Sequence, residues 1–163
     1  MNNGLQNLEQ RATEILASIL IPLATRSLLV PTVAVAEIVP YQKPRALESA
    51  PDWLLGEFAW RNQKLPLLSL ELLSGEQAPA VASSTRVVVF NNTGMSDELP
   101  FLALRSAGIP KLIQVSAADM QVSETSPRPF ENLRVMLQGE ETVIPDISSL
   151  EQVWLDWCSS QAH

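Results

Sequence analysis

An all-β, barrel-like fold is what this sequence predicts, on three observations. Twelve prolines are spread from Pro22 to Pro145. Each removes a backbone donor and breaks a helix interior, which argues against a bundle of long helices. Between them lie short runs of Val, Ile, Leu and Phe, the composition of strands bounded by turns. Gln138-Gly139-Glu140 separates two such runs and reads as a hairpin tip.

Taken in chain order, Leu5, Leu8, Ala12 and Ile15 are spaced for one face of a helix, so residues 1–14 are expected to form a helical extension. Strands are predicted at Ile15–Leu20 and Leu28–Val30, followed by a short helix over Thr32–Ile38, because the fixed φ of Pro31 suits a helix start. Further strands fall at Glu57–Trp60, Leu67–Leu70, Val87–Phe90, Phe101–Leu104, Leu133–Leu137 and Thr142–Ile144. Ser74–Ser84, a mixture of Gly, Pro, Ala and Ser, is a loop expected to divide two halves near 74–84, and Ser123–Pro129 is a second loop. Ser148 and Glu151 have capping-box spacing. Leu150, Val153, Trp154 and Trp157 follow at helical offsets, an apolar face that closes the core or docks on a partner. Val30-Pro31 is echoed by Ile109-Pro110 and Leu65-Pro66 by Ile144-Pro145 at one common offset, which favours two similar subdomains.

Composition narrows the function. The 163 residues suffice for one domain or for two small subdomains sharing a core, and a hydrophobic fraction of 46% argues against a wholly disordered chain. The net charge of −7 comes from 18 acidic and 11 basic residues. No basic stripe is present to replace condensed counterions, which argues against nucleic acid as a partner. The single cysteine, Cys158, has no intramolecular partner and fits a reducing, cytoplasmic compartment. Ile15–Ala24 is the longest apolar stretch. It is about half the roughly 20 residues needed to span a bilayer, so no membrane insertion is expected. Glu9 and Arg11 precede it without a basic start, unlike a secretion signal.

Catalytic chemistry is missing. A nucleophile needs an adjacent base, but Cys158 sits in the apolar tail and the sole histidine is His163. There is no Cys/His cluster for a metal, and no phosphate-binding motif among six glycines, so neither metal nor cofactor is expected. Glu140-Glu141 flank a hairpin tip, where solvated carboxylates are ordinary. A carboxylate site assembled from distant segments stays open. On balance the chain reads as a binding module and not as an enzyme.

The most informative stretch is LLVPTVAVAEIVPYQKP followed by WLLGEFAWRNQKLPLLSLELLSG, Leu28 to Gly75. It resembles the CheW-like adaptor domain of bacterial chemosensory systems. Val35-Ala36-Glu37 matches the V-x-E element, Gly56 and Arg61 match G-x-x-x-x-R, and Leu65-Pro66 with Leu70 matches the strand that follows. More loosely, RVVVFNN, FLALRSAGIPKLIQVSAADM and LRVMLQGEETVIPDISSLEQV resemble the rest of the domain, so the resemblance covers residues 15–155 and leaves 156–163 as a C-terminal tail. The opening ILASILIPLATRSLLVPTVAVAEIV, with a hairpin around Thr25-Arg26, looks most like ChpC-type adaptors associated with type IV pili. Asn62 departs from the usual Gly but tolerates positive φ. Ser69 stands for a frequent Asp, and Arg105-Ser106 for a V-D pair.

This resemblance implies two SH3-like five-stranded barrels with short connecting and terminal helices. It also implies a non-enzymatic adaptor joining a chemoreceptor's cytoplasmic hairpin to the regulatory domain of a CheA-type histidine kinase. The partner-binding candidates are Val35, Glu37, Ile38, Gly56, Trp60, Arg61 and Asn62. The Arg61 guanidinium suits bidentate recognition of a carboxylate, although the resemblance equally allows a structural pair with Glu37. Val35 and Ile38 offer apolar area or face the core. Gly56 suits a bend or a close backbone approach, and Trp60 is an aromatic anchor or a packed ring. A second class of function, a regulatory β-barrel that binds a small molecule, would need an apolar pocket with polar anchors.

Overall fold

The computed structural model describes residues 14–161, so Leu5, Leu8 and Ala12 of the expected N-terminal helix lie outside it. The fourth residue of that pattern, Ile15, begins a strand. β1 (Ile15–Pro22) and β2 (Ser27–Pro31) form an antiparallel hairpin, and Leu23 donates its amide to the Arg26 carbonyl across the turn at 2.7 Å.

After Pro31 the chain makes only a single 3-10 turn, Thr32–Ala34, and the predicted helix to Ile38 is not formed. β3 (Val35–Pro40) takes its place and pairs with the buried strand Arg86–Asn91. Seven residues are too few to hold a helix without tertiary support, and the β-branched Val35, Ile38 and Val39 suit a pleated surface. β4 (Leu54–Trp60) and β5 (Gln63–Leu68) form the next hairpin. The strand expected to reach Leu70 ends two residues earlier. There the Ser69 hydroxyl accepts the Leu72 amide at 3.3 Å and caps the short helix α1 (Leu70–Leu73). Serine and aspartate serve that capping role alike.

β6 (Arg86–Asn91), β7 (Phe101–Ser106) and β8 (Lys111–Ser116) follow. A 3-10 turn at Ala117–Asp119 leads to the three-residue β9 (Met120–Val122), and β10 (Glu131–Leu137) and β11 (Glu140–Pro145) form the closing hairpin. Gln138 and Gly139, at φ 52° and 84°, make its two-residue tip. α2 (Ile147–Gln161) ends the described chain, so the boundary expected at residue 155 falls inside one continuous helix. The expected capping box is also redrawn. Asp146, not Ser148, caps α2, with its carboxylate accepting from the Ser148 hydroxyl and from the amide and hydroxyl of Ser149. Glu151 is buried instead and takes the Thr93 hydroxyl and amide.

The strands assemble into two SH3-like subdomains. One is contiguous, ordered β3-β6-β7-β5-β4; the other is split, ordered β8-β1-β2-β11-β10-β9. Read from its hairpin, each follows one plan: β4-β5-β7-β6-β3 matches β10-β11-β2-β1-β8, with β9 added at an edge. In both, the second hairpin strand pairs parallel with the next strand, β5 with β7 and β11 with β2. Leu65-Pro66 and Ile144-Pro145 therefore do occupy equivalent strands. Val30-Pro31 closes β2 whereas Ile109-Pro110 precedes β8, so that half of the echo is coincidence. The Ser74–Ser84 loop does not divide the subdomains, because it joins α1 to β6 within the contiguous one.

The largest apolar cluster lies between the subdomains. It unites Ile21, Leu28 and Val30 with Leu68, Phe90 and Leu104, and it includes Leu150 of α2. Each fully buried Leu, Ile or Phe contributes about 1.5–3 kcal/mol. The contiguous barrel has its own interior around Phe58, Trp60, Leu65, Leu67, Val87 and Val89. The interior of the split barrel is smaller, around Leu29, Val115 and Leu137. Because α2 is fastened at its start by Asp146, Asp146→Ala should cost about 1 kcal/mol and lower the thermal midpoint by a few degrees. Ser148→Ala should cost less, as differential scanning calorimetry of the two variants would show.

A candidate docking site at the Arg61 hairpin

The β4–β5 hairpin turns in two residues, Arg61 and Asn62, both at positive φ (45° and 61°). Asn62 takes this conformation readily. For Arg61, whose Cβ crowds the following carbonyl, it costs about 1–2 kcal/mol. Two contacts of the side chain hold it there, and a third ties its two partners together. Arg61 Nη2 donates to Glu37 Oε2 at 3.0 Å, the guanidinium lies 4.8 Å from the centre of the Trp60 ring, and Trp60 Nε1 donates to Glu37 Oε1 at 3.1 Å. Phe101 meets Trp60 edge-on at 4.8 Å and fixes the plane of the indole. One carboxylate thus ties a buried ring to an exposed cation.

The electrostatics follow from these contacts. The Trp60 N–H, outweighing partial desolvation and helped by Arg61, holds the Glu37 carboxyl below its ordinary range. The Arg61 side chain is 63% exposed, so the pair is screened by solvent and contributes little to stability. Its effect is positional. The cation stands at a fixed place on the hairpin tip with most of its surface turned to solvent.

Of the seven candidates, the fold gathers Glu37, Trp60, Arg61 and Asn62. It does not gather the other three. Val35 and Ile38 pack against the central core, opposite Phe90 and Val88. The exposed valine of this segment is Val33, on the 3-10 turn and 80% exposed, which sequence reading passed over in favour of Val35. Gly56 sits toward the far end of β4, at φ 141° in a bulge, where an added Cβ would stand 2.3 Å from the Arg45 carbonyl oxygen. Its role is to let residue 45 pair with Glu57 through two 2.9 Å hydrogen bonds.

A buried ion network also escaped the sequence reading. Arg134 donates to both oxygens of Glu131, at 2.8 and 3.0 Å, and to Glu141 at 2.6 Å. Arg26, in the β1–β2 turn, has its Nε 3.3 Å from Glu131 and donates to Glu76 and to Ser74 beyond α1. Burial opposes the charge on Glu131, yet Arg134, the Arg128 amide and Arg26 hold its pKa low, and Arg134 in turn is raised chiefly by Glu131. The signal was present: Arg134 is a charge inside an apolar strand, three residues from Glu131. The lone thiol, Cys158, is half-buried, and burial with help from Glu98 raises its pKa and keeps it a poor nucleophile. Among the described residues no helix is long and apolar enough to cross a membrane.

Two small barrels share one core, and the hairpin tip of one presents a fixed cation. The chain belongs to the CheW-like domain family, whose model matches residues 18–152. Among solved structures, the scaffolding protein TtCheW from Thermoanaerobacter tengcongensis is similar, with a TM-score of 0.68 at 12% identity over 81% of this chain and 89% of that one. No curated protein sequence matches.

Gly56→Ala should destabilise the fold by on the order of 3 kcal/mol, measured by denaturant unfolding, since neither the φ nor the space accepts a side chain. Acid stability follows from the carboxylates. Glu76, Glu131, Glu141 and Asp146 all have folded-state pKa values below their ordinary 4.5 or 3.8. Their stabilisation is therefore complete above those ordinary values and is lost as pH falls through the lowered ones. Thermal midpoints should be level near neutrality and decline below about pH 4.5, and Arg134→Met should lower the midpoint at neutral pH and make that decline shallower, because Glu131 and Glu141 lose a partner that lowers their pKa.

Proposed function

We propose that this chain is a non-enzymatic adaptor of a chemosensory array, joining a chemoreceptor's cytoplasmic hairpin to the regulatory domain of a CheA-type histidine kinase. The observation that carries this reading is the match of the CheW-like family over most of the chain. The name of the similar TtCheW, a scaffolding protein, points the same way. The Arg61 site supports it physically. A guanidinium braced by Glu37 and Trp60 loses little side-chain freedom on meeting a partner's carboxylate, so more of the contact energy remains for binding.

The adaptor works by geometry. It holds receptor and kinase at a fixed spacing, and it transmits a receptor shift only insofar as its affinity differs between the two receptor states. The cytoplasm is the compartment that suits a lone free thiol and these partners. We assign the output to type IV pili, on the likeness of the segment from Ile15 to Val39 to ChpC-type adaptors.

The test is binding of the purified chain to a kinase regulatory domain and to a receptor hairpin, by calorimetry. Arg61→Glu should weaken receptor coupling by about tenfold or more, the equivalent of ~1.4 kcal/mol, while the circular dichroism spectrum stays unchanged. Failure to bind either partner would overturn the adaptor reading. Loss of fold in the variant would instead assign Arg61 a structural role.

A further inference from the structure

The interior of the split barrel is thin, and the end where β1 begins stands open. A cavity of about 340 Å³ enters there, with Leu16, Leu29, Val115, Met120 and Ile144 among its walls. Leu29 and Val115 are the centre of that barrel's small core, so the cavity continues the core outward. In the contiguous barrel the residue that follows β3 is Tyr41, which packs on the interior. The residue that follows the equivalent β8 is Ala117, a wall of the cavity. At the mouth Ile15 and Leu16 are 67% and 56% exposed. Covering such a surface is favourable in proportion to the apolar area taken from water.

The chain itself arrives at this mouth. Glu14, the first described residue, lines the cavity beside Ile15. Residues 1–13 precede it, and their sequence sets Leu5, Leu8 and Ala12 on one helix face with Gln6, Asn7 and Gln10 on the other. Asn3 stands ahead of Leu5 as a favourable cap. As a helix, Leu5 to Ala12 would be about 12 Å long. A stretch this short is marginal as a helix in water and needs an apolar surface to hold it. That surface begins two residues beyond Ala12. A tether of this length gives the segment an effective concentration of about millimolar at the mouth, an advantage no separate molecule shares.

We propose that residues 1–13 fold back as an amphipathic helix whose Leu5 and Leu8 side chains enter the cavity and complete the core of the split barrel. The amide-rich face is left to solvent. Anything that docks at this end of the barrel must first displace the segment. The contact lies in the opposite subdomain from the Arg61 hairpin and does not depend on the adaptor reading.

Methyl NMR of the full chain, with Leu, Ile and Val methyl groups labelled, is the test. Nuclear Overhauser contacts are expected from Leu5 and Leu8 to Leu29, Val115 and Ile144. Leu5→Asp combined with Leu8→Asp should abolish them and shift the methyl signals of the cavity walls. The same variant should raise the fluorescence of ANS, a dye that reports exposed apolar surface. Should the aspartates disturb folding, Leu5→Ala combined with Leu8→Ala reads out the same release. A mixture of two differently labelled copies identifies the occupant: contacts between copies would mean a second molecule and overturn the proposal. Absence of contacts from Leu5 and Leu8, or wall signals and ANS fluorescence unchanged in the variants, would overturn it equally.

Discussion

The apolar contact between the two subdomains is the constraint on which the rest of the structure depends. Ile21, Leu28 and Val30 of the split barrel meet Leu68, Phe90 and Leu104 of the contiguous one, and Leu150 joins them from α2. Neither barrel is large enough to bury much on its own, since small domains leave a high fraction of their surface in water. Sharing one core makes a single unit of them. The ion network running from Arg26 to Glu76 and Glu131 adds direction to this contact. It ties the β1–β2 turn both to the closing hairpin and to the loop after α1, so the two bodies are held at one relative setting.

Much of the fold was legible because strands bounded by prolines announce themselves. Eight of the runs of β-branched and apolar residues need no long-range information to be recognised as extended chain. What escaped depended on partners distant in sequence. Thr32–Ile38 looked helical until β6 supplied a pairing edge. The Ser148–Glu151 spacing suggested a capping box, but Asp146 was better placed and Glu151 was drawn inward to Thr93. The Ser74–Ser84 loop looked like a boundary by composition alone, which cannot show that both of its flanks belong to one sheet.

The site was half legible for a related reason. Glu37 and Arg61 stand together in the family pattern, and they do meet, with Trp60 completing the bracket. Val35 and Ile38 are apolar and near, but an alternating strand sends only some of its residues to any one face. A bulge between Val35 and Glu37 shifts that alternation further. Gly56 reads in the sequence as a backbone requirement, and the crowding at Arg45 supplies the reason.

The interleaved strand order also governs how the protein is made. β1 and β2 precede the contiguous barrel in the chain, yet β8 and β11, which flank them, follow it. The contiguous barrel, drawn from Val35 to Ser106, has all its strands in hand just before β8 and well before β11. Domains tend to fold as units during synthesis, and distant pairings are slow to form. The N-terminal hairpin must therefore wait, its apolar residues unsheltered, until the final strands emerge to enclose it. A nascent chain with so long an interval before closure is the kind of client that chaperones protect.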